Sequence, residues 1–210
     1  GHNEHPIDGE AGGEKGGYER AAEALRNENY RVEKLLLAAK PEVPDDAKVV
    51  VIPGPTRPWL AAERQELRRY LERGGSVLVL LDPRAQTDLA EDVRSWGVTL
   101  GDDIIVDRKL ALFGRATTPF ANRYDTKHPI TKDLRETTLF HVARSVRPLA
   151  DAKGAFAEIV FTGDSSWAET DLDRFFSESV AEFDGKDRQG PVAIAVAGTI
   201  DLSSDQSAAA

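Results

Sequence analysis

The chain has 210 residues, 30% of them charged, with 36 acidic side chains against 27 basic ones and a formal net charge of -9. That length can bury a real core, and the composition is that of a globular protein. The acidic balance, with arginines scattered among acids and no concentrated basic patch in view, argues against a nucleic-acid partner.

Cysteine is absent, which excludes disulfides, thiolate metal sites and cysteine nucleophiles. Methionine is absent too, so a processed or excised piece is expected. No apolar run approaches the roughly 20 residues of a membrane span, and no signal peptide is visible. Any anchor is expected outside this piece.

Taken in chain order, GHNEHPIDG (residues 1–9) packs two histidines, an asparagine and a glutamate into five residues. The glycine-rich stretch 9–17 aligns with neither phosphate-loop fingerprint and predicts a mobile loop. Tyr18 to Asn29 predicts a helix with Tyr18, Ala21, Ala22 and Leu25 on one face. Tyr30 to Leu37 predicts a strand, and a linker with two prolines follows. Val49 to Ile52, closed by Pro53-Gly54-Pro55, predicts a strand buried on both faces. A helix over about Leu60–Arg73 carries Leu60, Leu67 and Leu71 on one stripe, with Tyr70 beside it and a left-handed cap at Gly74-Gly75. Val77 to Leu81 predicts the next strand, stopped by Asp82-Pro83. Strand, helix, strand with short connections is a βαβ unit and implies parallel strands.

Thr87 to Trp96 predicts another helix, ended by Gly97, and a short strand follows around Ile104–Val106. Residues 108–150 lose the repeat and predict a β-rich excursion of short strands and turns. Ala155–Gly163 and Pro191–Ile200 predict strands, SSWAETDLDRFF (165–176) a loop with a short helical turn, and residues 201–210 a flexible tail. The expected organisation is one α/β domain over 1–200, its sheet mostly parallel and flanked by helices, with the 108–150 excursion as a β-rich insertion.

In an open parallel sheet, ligands bind at the carboxyl ends of the strands. His2, Asn3, Glu4, Arg57 and Asp82 would then face one crevice as a candidate ligand-binding site. His2, Glu4 and His5 are weak metal candidates, because their spacing matches no established ligand set. The alternative for Asn3 and Glu4 is to bond backbone amides at a strand-to-loop transition. Arg57 could hold an anion or pair with Asp82. No Gly-x-Ser-x-Gly elbow exists. Ser165 and Ser166 follow a strand, yet none of the four histidines, His2, His5, His128 and His141, is tied to them in sequence. No catalytic residue and no cofactor are expected. Trp167 predicts a wedge closing the domain edge.

The ordered motifs GH-x-E, VVVIPGP, YLERGGSVLVLLDPR, WGV, IIVD, HPIT, a Ser-Trp-Ala-Glu stretch and GPVAIAVAG, running from His2 to about Gly198, are informative together. This set resembles the extracytoplasmic domain of the ABC-type transport system auxiliary family, the gliding-motility-associated Gld-type proteins. The resemblance implies a class I glutamine amidotransferase-like fold related to the flavodoxin-like sheet. It also implies membrane helices elsewhere in the protein and an ABC permease and ATPase as partners. A related domain occurs in an intraflagellar-transport subunit, where it is structural. Amidotransferases of that fold use a cysteine, which this chain lacks. Asn3 departs from the family's glycine, and the strand expected before GH-x-E is missing, so a homodimer or swapped strand is expected at the open edge.

The expected function is therefore a non-catalytic, periplasmic auxiliary domain that binds proteins or a polymer such as a polysaccharide. Two alternatives stand beside it. One is a metal-dependent or other hydrolase of glycan or peptide using His2, Glu4 and His5. The other is a small-molecule sensor with a pocket lined by Phe113, Phe120 and Tyr124.

Overall fold

The structure is a computed structural model that describes residues 1–8, 17–111, 114–200 and 202. The glycine-rich loop over 9–16, Phe113 and nearly all of the tail lie outside the described residues. The chain divides into two compact units, Gly1–Leu81 with Ala85–Leu89, and Asp82–Arg84 with Ala90–Ala210.

The first unit is the βαβ element. Strand β1 (Val49–Pro53) pairs in parallel with β2 (Ser76–Leu80), and α2 (Ala61–Glu72) connects them. The buried positions of α2 are Glu63, Glu66, Leu67 and Tyr70, a helical stripe that holds two acids. Leu60, expected on the inner stripe, stands exposed. The helix ends as its glycines demand. Gly74 has φ +89, its amide bonds Leu71 O at 2.9 Å, and the Gly75 amide bonds Tyr70 O at 2.9 Å, a Schellman cap. Gly75 also lets the chain pass against the Tyr70 ring, because a Cβ there would meet that ring at 2.3 Å. The Tyr70 hydroxyl accepts from the Ser76 amide at 3.1 Å, so the cap hands the chain directly into β2.

Two expectations fail here. The strand expected over Tyr30–Leu37 is irregular, although α1 (Glu19–Asn27) precedes it as expected. A strand needs a ladder partner, and among the described residues this segment has none. Strand β1 is also not buried on both faces. Val50 and Ile52 are buried, but Val49 is 54% exposed and its neighbours Val51 and Leu78 share that open face.

The second unit is antiparallel. Strands β4 (Ile104–Asp107), β9 (Ser166–Glu169) and β10 (Arg188–Gln189) form one sheet in the order β10-β9-β4. Strands β5 (Phe120–Tyr124), β6 (Thr138–Leu139), β8 (Ala155–Thr162) and β11 (Ala193–Thr199) form another, ordered β11-β8-β5-β6. Strands β3 (Val98–Leu100) and β7 (Val146–Pro148) make a two-stranded ladder. The three-stranded sheet is covered on both faces. Val106 opposes Trp167, and both pack with Ile104 and Leu172 on one face; Ile105 opposes Ala168, and both pack with Val192 on the other.

This corrects the expected fold class. The sheet is not a mostly parallel one flanked by helices, and the flavodoxin-like or amidotransferase-like expectation falls with it. Among the described residues one strand pairing is parallel and the other six are antiparallel. The physical reason lies in the connections. A parallel pair needs a crossover of about a dozen residues or more, usually a helix. Only α2, with 12 residues, supplies one; α3 (Leu89–Ser95) and α5 (Leu172–Glu178) have 7 residues and α4 (Arg108–Ala111) has 4. The stretch expected as a loop over 165–176 instead holds the buried strand β9 and then α5, N-capped by the Asp171 carboxylate on the Arg174 amide at 3.1 Å.

Glu66 gives the first unit a pH-sensitive joint. Its carboxylate accepts from the Val43 amide at 3.1 Å and from Arg73 at 3.4 Å. Burial pushes this carboxyl up, but the Val43 amide and the Arg73 and Arg69 guanidinia outweigh it and hold it below its ordinary 4.5. A depressed carboxyl stabilises the fold above about pH 4.5, and that contribution disappears as pH falls through the lower folded value. Urea titrations from pH 6 to pH 3 should show stability falling with acid in the parent protein and a shallower fall in Glu66→Gln. Equal slopes would show that Glu66 does not couple the fold to pH.

Candidate functional site

The GHNEH loop is stitched to the first unit residue by residue. The His5 amide bonds Pro53 O at 2.9 Å, and the Thr56 amide bonds His2 O at 3.0 Å, which lays the loop along the end of β1. Asn3 takes φ +64, and its Nδ2 donates to Thr56 Oγ1 at 2.8 Å. Asparagine tolerates that left-handed region better than most residues. Glu4 bonds backbone, as the strand-to-loop alternative expects: its Oε2 accepts from the His2 amide at 2.7 Å. Burial pushes the Glu4 carboxyl up, but the Glu4 and His2 amides help hold it below its ordinary value.

His2 is the anchor, with only 8% of its surface exposed. Its Nε2 lies 2.8 Å from Glu63 Oε2 and 3.0 Å from Oε1. The ring stacks on Trp59 with centroids 5.2 Å apart and planes 25° apart. Glu63 in turn accepts from the Leu60 amide at 2.8 Å, satisfying a donor in the first turn of α2. Asp88 holds the other side of that turn, accepting from the Trp59 amide at 2.8 Å and from Arg64 at 3.2 Å. Glu63 and Trp59 were not candidates in the sequence. The available signal was a glutamate three residues after the residue that opens α2.

The remaining candidates behave differently. Arg57 is exposed. Asp82 belongs to the second unit, where its carbonyl accepts from Arg144 at 3.2 Å. Arg144 also donates to Gly101 O from Nε at 2.7 Å, and burial pushes its guanidinium down, partly offset by Asp103, Asp102 and Asp82. His5 meets the Tyr18 ring edge-on at 5.8 Å. Among the described residues no three His, Asp or Glu side chains gather as a metal site.

The serines after β8 have structural partners. Ser165 Oγ donates to Asp107 at 3.0 Å, and Ser166 Oγ sits 2.6 Å from Thr162 Oγ1 in the interior. His141 Nδ1 lies 3.1 Å from Thr118 Oγ1, and His128 Nδ1 accepts from the Ile130 amide at 3.3 Å. Trp167 is buried, with Nε1 donating to Glu169 at 3.2 Å. Of the sensor candidates, Phe120 stands on β5 opposite Leu139, and Tyr124 donates to Glu136 O at 2.8 Å while packing against the Ala121, Ile159 and Val160 cluster.

The two kinds of candidate separate in a stability experiment. His2→Ala removes the partner of a buried carboxylate and should lower unfolding stability by about 1–3 kcal/mol. Arg57→Ala, at an exposed position, should stay within about 0.5 kcal/mol of the parent. Urea denaturation of both variants checks this, and an unchanged His2→Ala midpoint would refute the anchoring role.

The N-terminal domain solved as "mmIFT52 N-terminal domain" is similar in fold, with a TM-score of 0.55, 16% identity, and 71% of this chain covering 70% of that one. No curated protein sequence matches this chain. Residues 1–207 match the family described as "ABC-type uncharacterized transport system". The chain belongs to that family, the auxiliary components of ABC-type transport systems.

Proposed function

We propose that the chain is a non-catalytic, extracytoplasmic domain of a membrane-anchored auxiliary protein of an ABC transporter. It works by binding, with the permease and ATPase subunits of the same system as partners and an extracytoplasmic polymer such as a polysaccharide as a further ligand. The family match over residues 1–207 carries this reading. The loop adds support from chemistry. His2 is 8% exposed, directs Nε2 to Glu63 and stacks its ring on Trp59. Its surroundings hold a loop in place. The contact face on this reading takes in the outer side of the GHNEH loop, with Asn3 and Glu4, together with Arg57. A gliding-motility role remains the specific form that the motif order suggests.

Affinity purification of the full-length protein from detergent-solubilised membranes of the source cell tests the partnership. ABC permease and ATPase subunits should co-purify, and protease added outside the cytoplasmic membrane should reach this domain. Recovery without any ABC subunit would overturn the transport reading. Turnover of a peptide or glycan substrate by the purified domain, lost on His2→Ala, would overturn the non-catalytic one.

A further inference from the structure

One pairing position in the first unit stands open. Strand β1 ladders with β2 along one edge, and among the described residues no strand pairs with its other edge. The Gly54 amide bonds Leu80 O at 3.0 Å, so by the alternation of a strand Val50 and Ile52 also turn their backbone groups toward β2. Val49, Val51 and Pro53 then turn theirs outward, and Pro53 O accordingly accepts from the His5 amide. Val49 and Val51 have no hydrogen-bond partner on that edge among the described residues. Both are exposed, Val51 by 45%. Natural proteins blunt a free edge with a charge, a proline or a bulge. Residues 49–52 hold no charge and no proline, and their register with β2 runs without a shift.

The same unit holds a strand-like segment without a ladder. Residues 30–37 have the composition of a strand, yet residues 31–35 make no backbone hydrogen bond among the described residues. The segment is fixed at its ends, where the Tyr30 amide bonds Leu25 O at 3.0 Å and Leu37 is buried. Between them Leu35 and Leu36 stand exposed. Ion pairs hold the middle: Arg31 with Asp46 and Glu33, and Lys34 with Asp8. All five side chains are more than 60% exposed, and surface pairs of this kind contribute little.

We infer that two copies of this chain exchange these elements, residues 31–36 of each adding as a strand to the free edge of β1 in the other. The chain carries both a strand without a ladder and an edge without a strand, and within one copy the two do not pair. A two-fold axis makes both contacts at once. Each two-stranded sheet then gains a third strand, and three strands with an apolar face are what an independently stable sheet needs. Adjacent residues of a strand point to opposite faces, so either Leu35 or Leu36 extends the open face of Val49, Val51 and Leu78. A strand from an unrelated protein would fill the edge and leave residues 31–36 unpaired. The inference concerns the first unit alone and does not depend on the transport reading.

Light scattering on the 210-residue chain as it elutes from a sizing column tests this. The mass should rise from one chain toward two as concentration increases. Val51→Pro removes an outward amide without touching the bonds to β2, and an edge strand tolerates proline there. A two-fold interface loses that amide twice, so the dimer dissociation constant should rise about tenfold or more. Leu35→Lys should raise it by a similar factor through lost apolar burial. It also carries the test if circular dichroism shows that Val51→Pro does not fold. Val51→Thr keeps the branched shape and the amide and should dimerise like the parent. A single-chain mass at every concentration overturns the inference and leaves the edge to a strand of another protein. Undiminished dimerisation in both Val51→Pro and Leu35→Lys also overturns it and puts the contact elsewhere.

Discussion

Strand β4 is buried at all four of its residues, and much of the second unit follows from that. A buried backbone must pair its amides and carbonyls on both edges. One edge pairs with β9 over Ile104–Asp107. On the other edge the Ile105 amide bonds Ala143 O and the Asp107 amide bonds Ala116 O, both at 2.8 Å. The excursion after residue 108 therefore has to return to β4 twice, near Ala116 and near Ala143. Asp103 secures the second return by accepting from both the amide and the hydroxyl of Ser145.

That requirement shapes what the excursion can offer. Its two legs are committed to β4, while the β5–β6 hairpin between them pairs with β8 and extends the four-stranded sheet. The committed legs place Arg144 on internal carbonyls, and the hairpin carries the exposed apolar and basic side chains. In the first unit a smaller constraint has a comparable effect. The Glu63 carboxylate must be satisfied inside, and His2 and the Leu60 amide satisfy it, so the opening loop is fixed to the first turn of α2. The proposed binding role fits both arrangements, because rigid elements present loops.

Local physics was legible where neighbours in sequence decide the outcome. The βαβ element, the Gly74-Gly75 cap and the backbone-bonding role of Glu4 all rest on contacts within a few dozen residues. Glu63 was not legible as a partner of His2, because that contact spans 61 residues and an acid on the inner stripe reads as a solvent-facing one. Strand β9 was missed for a similar reason. Its Ser-Trp-Ala-Glu run has no alternation, since both of its faces are buried, and its polar ends Ser166 and Glu169 are satisfied by Thr162 and Trp167 in the fold.

The sequence by itself determined the family, the βαβ element and its cap, because motif order and helix-end chemistry are properties of the chain alone. Tertiary structure decided the sheet direction. An apolar run such as Ala155–Thr162 or Ala193–Thr199 has the same composition in a parallel or an antiparallel ladder, and direction depends on what connects the strands. The chain between β8 and β11 runs through β9 and β10 of the three-stranded sheet, and β8 and β11 pair antiparallel. Tertiary structure also decided the fate of His2. Its type and position are written in the chain, but its burial against Glu63 and Trp59 exists only once α2 is in place.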